Sequence, residues 1–208
     1  MAEMIDIFTE QGEKLGTISK REYYSLACAD KDIPWINCAS CFVIDNKNKK
    51  ILFTKRGKRF LDPGKLDVVS GHIRSGEIPI QGMVRELAEE VSIDENDSRN
   101  LQFLGKVKVD YTTLEDETNR KRLKCDVSIY ALKIDDINLI KIDHKEAISK
   151  GFLNYDDAVG FVENSMTRMP YEEKLKPQYD AIFEELRDYM FSKNRITEKA
   201  RKEGNTRC

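Results

Sequence analysis

The sequence predicts an α/β (α+β) protein with an N-terminal hairpin extension and a C-terminal helix. Three observations lead there. Two stretches alternate apolar and polar residues with the period of a half-buried strand: "LQFLGKVKVDY", with Leu101, Phe103, Val107 and Val109 on one face, and "RLKCDVSIYAL", with Leu123, Cys125, Val127, Ile129 and Ala131. A central stretch has helical period, because Ile80, Met83, Val84, Leu87 and Val91 fall on one face. A later one, "PQYDAIFEELRDYMF", sets Tyr179, Ile182, Phe183, Leu186 and Met190 at helical spacing.

From the N-terminus, "MIDIFTEQGEKLGTI" reads as a short hairpin turning at Gly12. "SKRE", Ser19 to Glu22, fits a capping box, so a short helix is expected through "YYSLA". "DIPW" breaks the chain before two strands, "INCASCFVID" and "KILFTKR", joined by the polar turn "NKNK". "GKRFLDPGK" is a loop and "LDVVS" a single short strand. The central helix comes next, then the two alternating strands, with the polar, loop-like "TTLEDETNRK" between them. "NYDDAVGFVEN" reads as a short helix ahead of the C-terminal one. The tail "NRITEKARKEGNTRC" lacks apolar periodicity and is expected to be disordered.

Composition excludes several classes. The 208 residues are 40% hydrophobic and 35% charged, enough for a core and a soluble surface, with a net charge of -2. Bulk nucleic-acid binding is not expected without a basic excess. The N-terminus is acidic without an apolar core of signal-peptide length, and no apolar run approaches the roughly 20 residues of a membrane span. A cytoplasmic protein is expected. The five cysteines, Cys28, Cys38, Cys41, Cys125 and Cys208, are odd in number and sparse, so they make no disulfide scaffold. Cys38 and Cys41 form a CxxC, yet positions three apart on a strand point to opposite faces. With no second CxxC and only His72 and His144 as imidazoles, a structural zinc site lacks ligands.

The central helix carries Glu86, Glu89 and Glu90 within little more than one turn, over an arc of about 100° that points away from its apolar face. Each neighbouring like-charge pair costs roughly 0.2–0.5 kcal/mol if nothing neutralises it. A divalent cation would turn that repulsion into a set of hard oxygen ligands. An acidic surface face is the plain alternative, and the surrounding residues decide against it. Gly71, Glu77, Arg85, Glu86, Glu89 and Glu90, with Leu87 as the bulky aliphatic, fit G-x5-E-x7-R-E-U-x-E-E. Six such fixed positions match by chance at on the order of one in ten million starts.

This pattern is the Nudix box, and the chain resembles the Nudix superfamily. The resemblance implies a Nudix-type α/β/α sandwich with a mixed β-sheet. The expected organisation is an N-terminal hairpin and helix extension over 1–33, a Nudix hydrolase domain over 34–165, a C-terminal helix packed on it over 166–192, and the tail over 193–208. One departure is plain: the family continues x-G-U after the paired glutamates, and here the residues are Val91, Ser92 and Ile93. A glycine there ends the helix with positive φ, which serine adopts at roughly 1–2 kcal/mol, so the helix is expected to end differently. Gly82 inside the helix weakens it by roughly 1 kcal/mol.

The resemblance also implies chemistry. Nudix enzymes hydrolyse a diphosphate linked to another group, using Mg²⁺ or Mn²⁺. Glu86, Glu89 and Glu90 match the metal ligands, Glu89 and Glu90 are also read as catalytic, and the carbonyl of Gly71 would complete the site. Arg85 and Glu77 would pair and lock the loop-helix-loop. The general base, in many members outside the box, is expected at Glu146 in "DHKEAISKGFLNYDDA", with Glu115, Asp116 and Glu117 of "LEDET" as alternatives. Lys55 and Arg56, with Lys58 and Arg59, are candidates for substrate phosphate, although a Lys-Arg here also recurs in the family as a structural pair. Trp35 beside a strand reads more readily as packing than as a stacking platform.

"FLDPGKLDVVSGHI" and the hairpin extension resemble most the branch near isopentenyl-diphosphate isomerase. That enzyme has a catalytic Cys just before the Gly-His, where this chain has Ser70; it builds its metal site from several histidines; and its box is degenerate. All three differences favour hydrolysis of a nucleoside diphosphate linked to another moiety. A nucleotide-binding regulatory domain is the reading from another class, but such domains usually lose box carboxylates. The expected partner is a small-molecule diphosphate substrate, with no membrane; the substrate's identity and the homodimerisation common in the family stay open.

Overall fold

In the computed structural model the described residues are 2–27, 32–57, 62–114, 120–144, 147–164, 167 and 169–192. The tail expected to be disordered, and Cys28, Lys58, Arg59, Glu115, Asp116, Glu117, Glu146 and Cys208, lie outside them.

The N-terminal hairpin is β1 (Met4–Phe8) and β2 (Lys14–Ser19), turning through Gly12 at φ 90. Helix α1 (Lys20–Ala27) comes next, and the Ser19 hydroxyl accepts the Glu22 N–H at 3.1 Å, the capping bond expected of "SKRE". The hairpin joins the main sheet, for β1 pairs antiparallel with the start of β3 (Trp35–Asp45) at Ile7↔Ile36 and Phe8↔Trp35.

β3 is the spine of the fold. One edge runs parallel to β8 (Arg120–Ile134) from Ile36↔Cys125 to Asp45↔Ile134. The other edge is shared in turn by β1, by β6 (Val69–His72) and, at Ile44↔Ile51, by β4 (Lys50–Arg56). β4 then diverges to pair with β5 (Leu66–Asp67) and β9 (Ala147–Leu153), while β7 (Gln102–Leu114) flanks β8. The sheet is therefore mixed and splits where β4 leaves β3. "LDVVS" is two short strands rather than one: Asp67 pairs with β4 and Val69 with β3, so the backbone at Val68 changes partner.

Two cores sandwich the sheet. Ala39, Cys41, Val43, Val69 and Ile73 pack beneath α2 (Pro79–Val91) through Met83, Leu87 and Val91. On the other face Ile36, Phe42, Ile44, Val107, Val109, Leu123 and Ile129 meet α3 (Tyr155–Glu163), α4 (Lys176–Phe191) and α1. Tyr179, Ile182, Phe183, Leu186 and Met190 of α4 are buried, as their spacing requires. Cys38 and Cys41 do serve opposite faces. Among the described residues no helix is long and apolar enough to cross a membrane.

Four expectations need correction. Phe103 is 49% exposed and Leu104 is buried instead, because the β7 register shifts between Phe103 and Gly105 and interrupts the period of two. β8 is not half-buried towards its end, where Tyr130, Ala131, Leu132 and Ile134 all lie inside, since both its edges are paired and both its faces covered. "TTLEDETNRK" is strand at both ends, as β7 runs to Leu114 and β8 starts at Arg120. On α2, Ile80 is exposed, and Glu86 belongs to the buried side.

Candidate active site

The box residues converge around one close approach. Gly71 lies on β6 opposite Ala39, and a Cβ placed on it would sit 2.0 Å from Cδ of Glu86. Only a residue without a side chain lets the Glu86 carboxylate rest on the strand. Gly82 has a similar reason: a Cβ there would lie 2.5 Å from Cδ1 of Ile73, so its cost in helix propensity is offset by close packing.

Between β6 and α2 the chain makes a tight connection. The Ile73 N–H donates to the Asn37 carbonyl, and Arg74 and Glu77 close a turn in which the Arg74 N–H donates to Glu77 Oε2 at 2.9 Å. Pro79 opens the helix, and the Gln81 side chain reaches back to accept the Ile78 N–H at 3.0 Å.

Arg85 sits at the centre of the charged array. Its Nε and Nη2 donate to the two oxygens of Glu77 at 2.9 and 3.1 Å, a bidentate pair. Nη2 also donates to the His72 carbonyl at 2.8 Å, and Nη1 to Glu86 Oε1 at 2.6 Å and Glu89 Oε2 at 3.2 Å. All five guanidinium hydrogens are thus directed at the site. Arg74 adds a second cation to Glu89 at 3.1 Å.

The charges shift accordingly. Burial pushes the Glu86 carboxyl above its ordinary value; Arg85 opposes this and the Glu89 charge adds to it. Burial also works against the Glu77 carboxylate, but the Arg85 fork and the Arg74 N–H outweigh it, and Glu77 is held below the usual range. The raised value of Arg85 is the other side of the same pairing: burial disfavours the cation and Glu77 and Glu86 more than restore it.

The helix C-terminus is pinned as well. Ser92 takes the left-handed conformation at φ 59, ψ 30, so the helix ends as a glycine would end it, and the expectation of a different ending is corrected. Tertiary bonds hold it there: the Ile93 N–H donates to the Leu87 carbonyl, and the Ser92 hydroxyl donates to the Lys141 carbonyl at 3.2 Å. The Lys141 and Asp143 N–H groups in turn donate to the carbonyls of Val91 and Glu90.

The donors suit the ion that the box implies. They are carboxylate and carbonyl oxygens, the ligands of a hard divalent cation, and the bare Gly71 backbone accommodates the buried Glu86 carboxylate. Among the described residues no three acidic, histidine or cysteine side chains are arranged around one point, because Arg85 and Arg74 hold Glu86 and Glu89.

The other candidates separate. Lys55 is exposed on β4, whereas the Arg56 guanidinium lies 2.6 Å from the buried Asp67 carboxylate, which also accepts the Ser70 hydroxyl at 3.3 Å. Arg56 is engaged in the fold through Asp67. Trp35 is buried, with the Lys108 ammonium 4.9 Å from its ring centroid. Glu146 is outside the described residues; the chain before it is tied to the end of α2 through Asp143, and the chain after it enters β9, where Ala147 pairs with Arg56.

On the opposite side of β6 lies a cavity that sequence reasoning missed. Ser40, Asp67, Ser70 and His72 form its polar wall, and Val109, Tyr111, Leu123, Val127, Met169 and Tyr179 are among its apolar ones. His72 faces it and is contacted from α1 by Tyr24, whose hydroxyl is 3.2 Å from Nε2. No local sequence signal marks this pocket, because its walls come from distant strands.

Known proteins share this fold. The model of the NUDIX domain matches residues 36–179. A Deinococcus radiodurans protein of known structure is similar over 78% of this chain and 90% of its own, at 19% identity and a TM-score of 0.58. The MutT protein of Methanosarcina mazei Go1 is similar over 77% of this chain and 99% of its own, at 17% identity and 0.54. The NUDIX domain of Shewanella oneidensis NrtR, solved with ADP ribose, covers 81% of this chain and 99% of its own, at 14% identity and 0.50. No curated protein matches.

Proposed function

Because this chain belongs to the Nudix family, we propose that it is a pyrophosphohydrolase that cleaves, with Mg²⁺ or Mn²⁺, a nucleoside diphosphate linked to another moiety. The observation that supports this reading is the seating of Glu86 on Gly71: the strand and the helix of one continuous segment meet so closely that a Cβ at Gly71 would strike the Glu86 carboxyl.

The residues have distinct tasks. Glu86, Glu89 and Glu90 supply carboxylates on one patch of α2, with the Gly71 carbonyl beside them. Glu77 and Arg85 hold the loop and helix in register, and Arg85 keeps Glu86 and Glu89 oriented. A divalent cation held there would neutralise charge on the phosphate oxygens and acidify water near neutral pH. Glu146 is the proposed acceptor of the water proton, with its neighbouring chain tied to the end of α2. The cavity behind Ser70 and His72 receives the organic group attached to the diphosphate. Ser70 donates its hydroxyl to Asp67, a buried acid already paired with Arg56, an arrangement that suits structure better than proton transfer to carbon. Cys38 and Cys41 are free thiols, which fits a reducing cytoplasm.

A panel of diphosphates run in ¹⁸O-water with Mg²⁺ or Mn²⁺ tests the reading. Hydrolysis joins solvent oxygen to phosphorus as the anhydride bond breaks, so one phosphate product should carry the label. Deuterium exchange into an unlabelled diphosphate would identify an isomerase, and ligand-induced thermal stabilisation without turnover would identify a binding module.

A further inference from the structure

The geometry points to the N-terminal hairpin and helix as a working part of the substrate site, with Tyr24 as the positioning residue for His72. This rests on the hydrolase reading above.

The unit grips the site's connection at several points. The Ser75 N–H donates to the Met4 carbonyl at 2.8 Å, Ile5 bridges to Arg74, and the hydroxyls of Thr17 and Ser75 lie 3.4 Å apart. Helix α1 is fixed by Tyr23, fully buried, whose hydroxyl accepts the Lys124 N–H of β8 at 3.2 Å. That anchor sets the next residue, Tyr24, edge-on to His72, with ring centroids 5.8 Å apart and planes at 86°. His72 connects three things: its ring meets Tyr24, it lines the cavity, and its carbonyl holds Arg85. A hydroxyl that fixes the ring therefore shapes the cavity wall. Losing it should weaken the binding of the organic group and leave the chemical step alone.

Tyr24→Phe keeps the ring and removes the hydroxyl. With whichever of ADP-ribose, UDP-glucose or isopentenyl diphosphate wild type turns over fastest in Mg²⁺, KM should rise roughly three- to tenfold, the range of one lost hydrogen bond. The kcat should change little. In a His72→Ala background the same substitution should add nothing, because its effect runs through the missing ring. A long-range ¹H–¹⁵N spectrum reads the contact without turnover: with only two histidines in the chain, the ring nitrogens of His72 should shift in Tyr24→Phe while those of His144 stay. An unchanged His72 signal, an unchanged KM, or a full effect in the His72→Ala background would each overturn the inference. If wild type hydrolyses nothing, the hydrolase reading falls; the His72 signal and the Kd for ADP-ribose with Mg²⁺ then decide the role of Tyr24, and an unchanged value of either overturns it.

Discussion

The two faces of β6 share four residues of backbone and almost nothing else. Towards α2 the strand presents Gly71 and a packed array of charge: Glu86 on the glycine, Arg85 between Glu77, Glu86 and Glu89. Towards α4 it presents Ser70 and His72 to a largely apolar cavity. The charged face is built from one continuous segment, and a strand, a turn and a helix bring its residues together through local geometry. The cavity face is assembled from β3, β6, β7, β8 and the chain leading into α4. Phosphate chemistry needs few groups at fixed spacing, while the shape of a pocket depends on where the whole sheet puts its walls.

The widest separation of the two faces should come from the carboxylates. Glu89→Gln and Glu90→Gln should each lower kcat by on the order of a hundredfold or more, while the metal-free melting temperature changes little, because at Glu89 the relief of like-charge repulsion is offset by weakened half-exposed pairs with Arg85 and Arg74. Steady-state rates with a responsive diphosphate, beside thermal melts, check this; near-normal rates in both would sink the metal assignment.

Arg85→Ala breaks the charged face structurally. It leaves the buried Glu86 and the half-buried Glu77 without their cation, and the stability lost in denaturant titration should be about 3–5 kcal/mol. Gly71→Ala against Ser70→Ala compares adjacent residues on the two faces directly. The first drives a methyl into the Glu86 carboxyl, with a cost of roughly 1–3 kcal/mol and loss of turnover. The second removes one hydrogen bond to Asp67, worth about 0.5–1.5 kcal/mol, and should leave kcat nearly intact. Equal effects would mean that the faces are not independent.

Ser92→Gly is expected to shift stability by less than about 1 kcal/mol, because the Cβ penalty of the left-handed conformation that glycine removes is offset by loss of the hydroxyl's bond to the Lys141 carbonyl. The smallest effect lies at the hairpin that supports the site. Burial raises Asp6, but Lys14 and the hydroxyls of Thr17 and Ser75 more than offset it and bring it to about 2. A carboxylate lowered on folding stabilises above its ordinary range, so its contribution is present near pH 5 and is lost as pH falls towards 2. Asp6→Asn should flatten that acid limb of a melting curve series, and an unchanged slope would show that the contact contributes little.

The same contrast explains which features are legible in the sequence. The box, the order of its flanking elements, the hairpin and the α4 face can all be read from spacing. A helical wheel turns Glu86 to solvent because it knows nothing of the glycine on a neighbouring strand. The exposure of Phe103 is hidden by a register shift that leaves no trace in an alternating pattern. The partner of Arg56 is equally illegible, since Asp67 belongs to a two-residue strand that only tertiary pairing defines. Tyr24 and His72 meet across a long stretch of chain, and nothing local links them.

β3 has a consequence for how the molecule is made. Its parallel partner begins at Cys125 opposite Ile36, so the chain must close a loop of roughly ninety residues before the spine is paired, at an entropic cost of about 4 kcal/mol. Long-range pairing of this kind slows folding. Until β8 is in place, "ASCFVI" presents an open apolar edge, and during synthesis this is the segment most exposed to association with other chains. The early hairpin, already pairing at Ile36 and Trp35, would cover the first part of that strand's other edge while the rest of the sheet is still arriving.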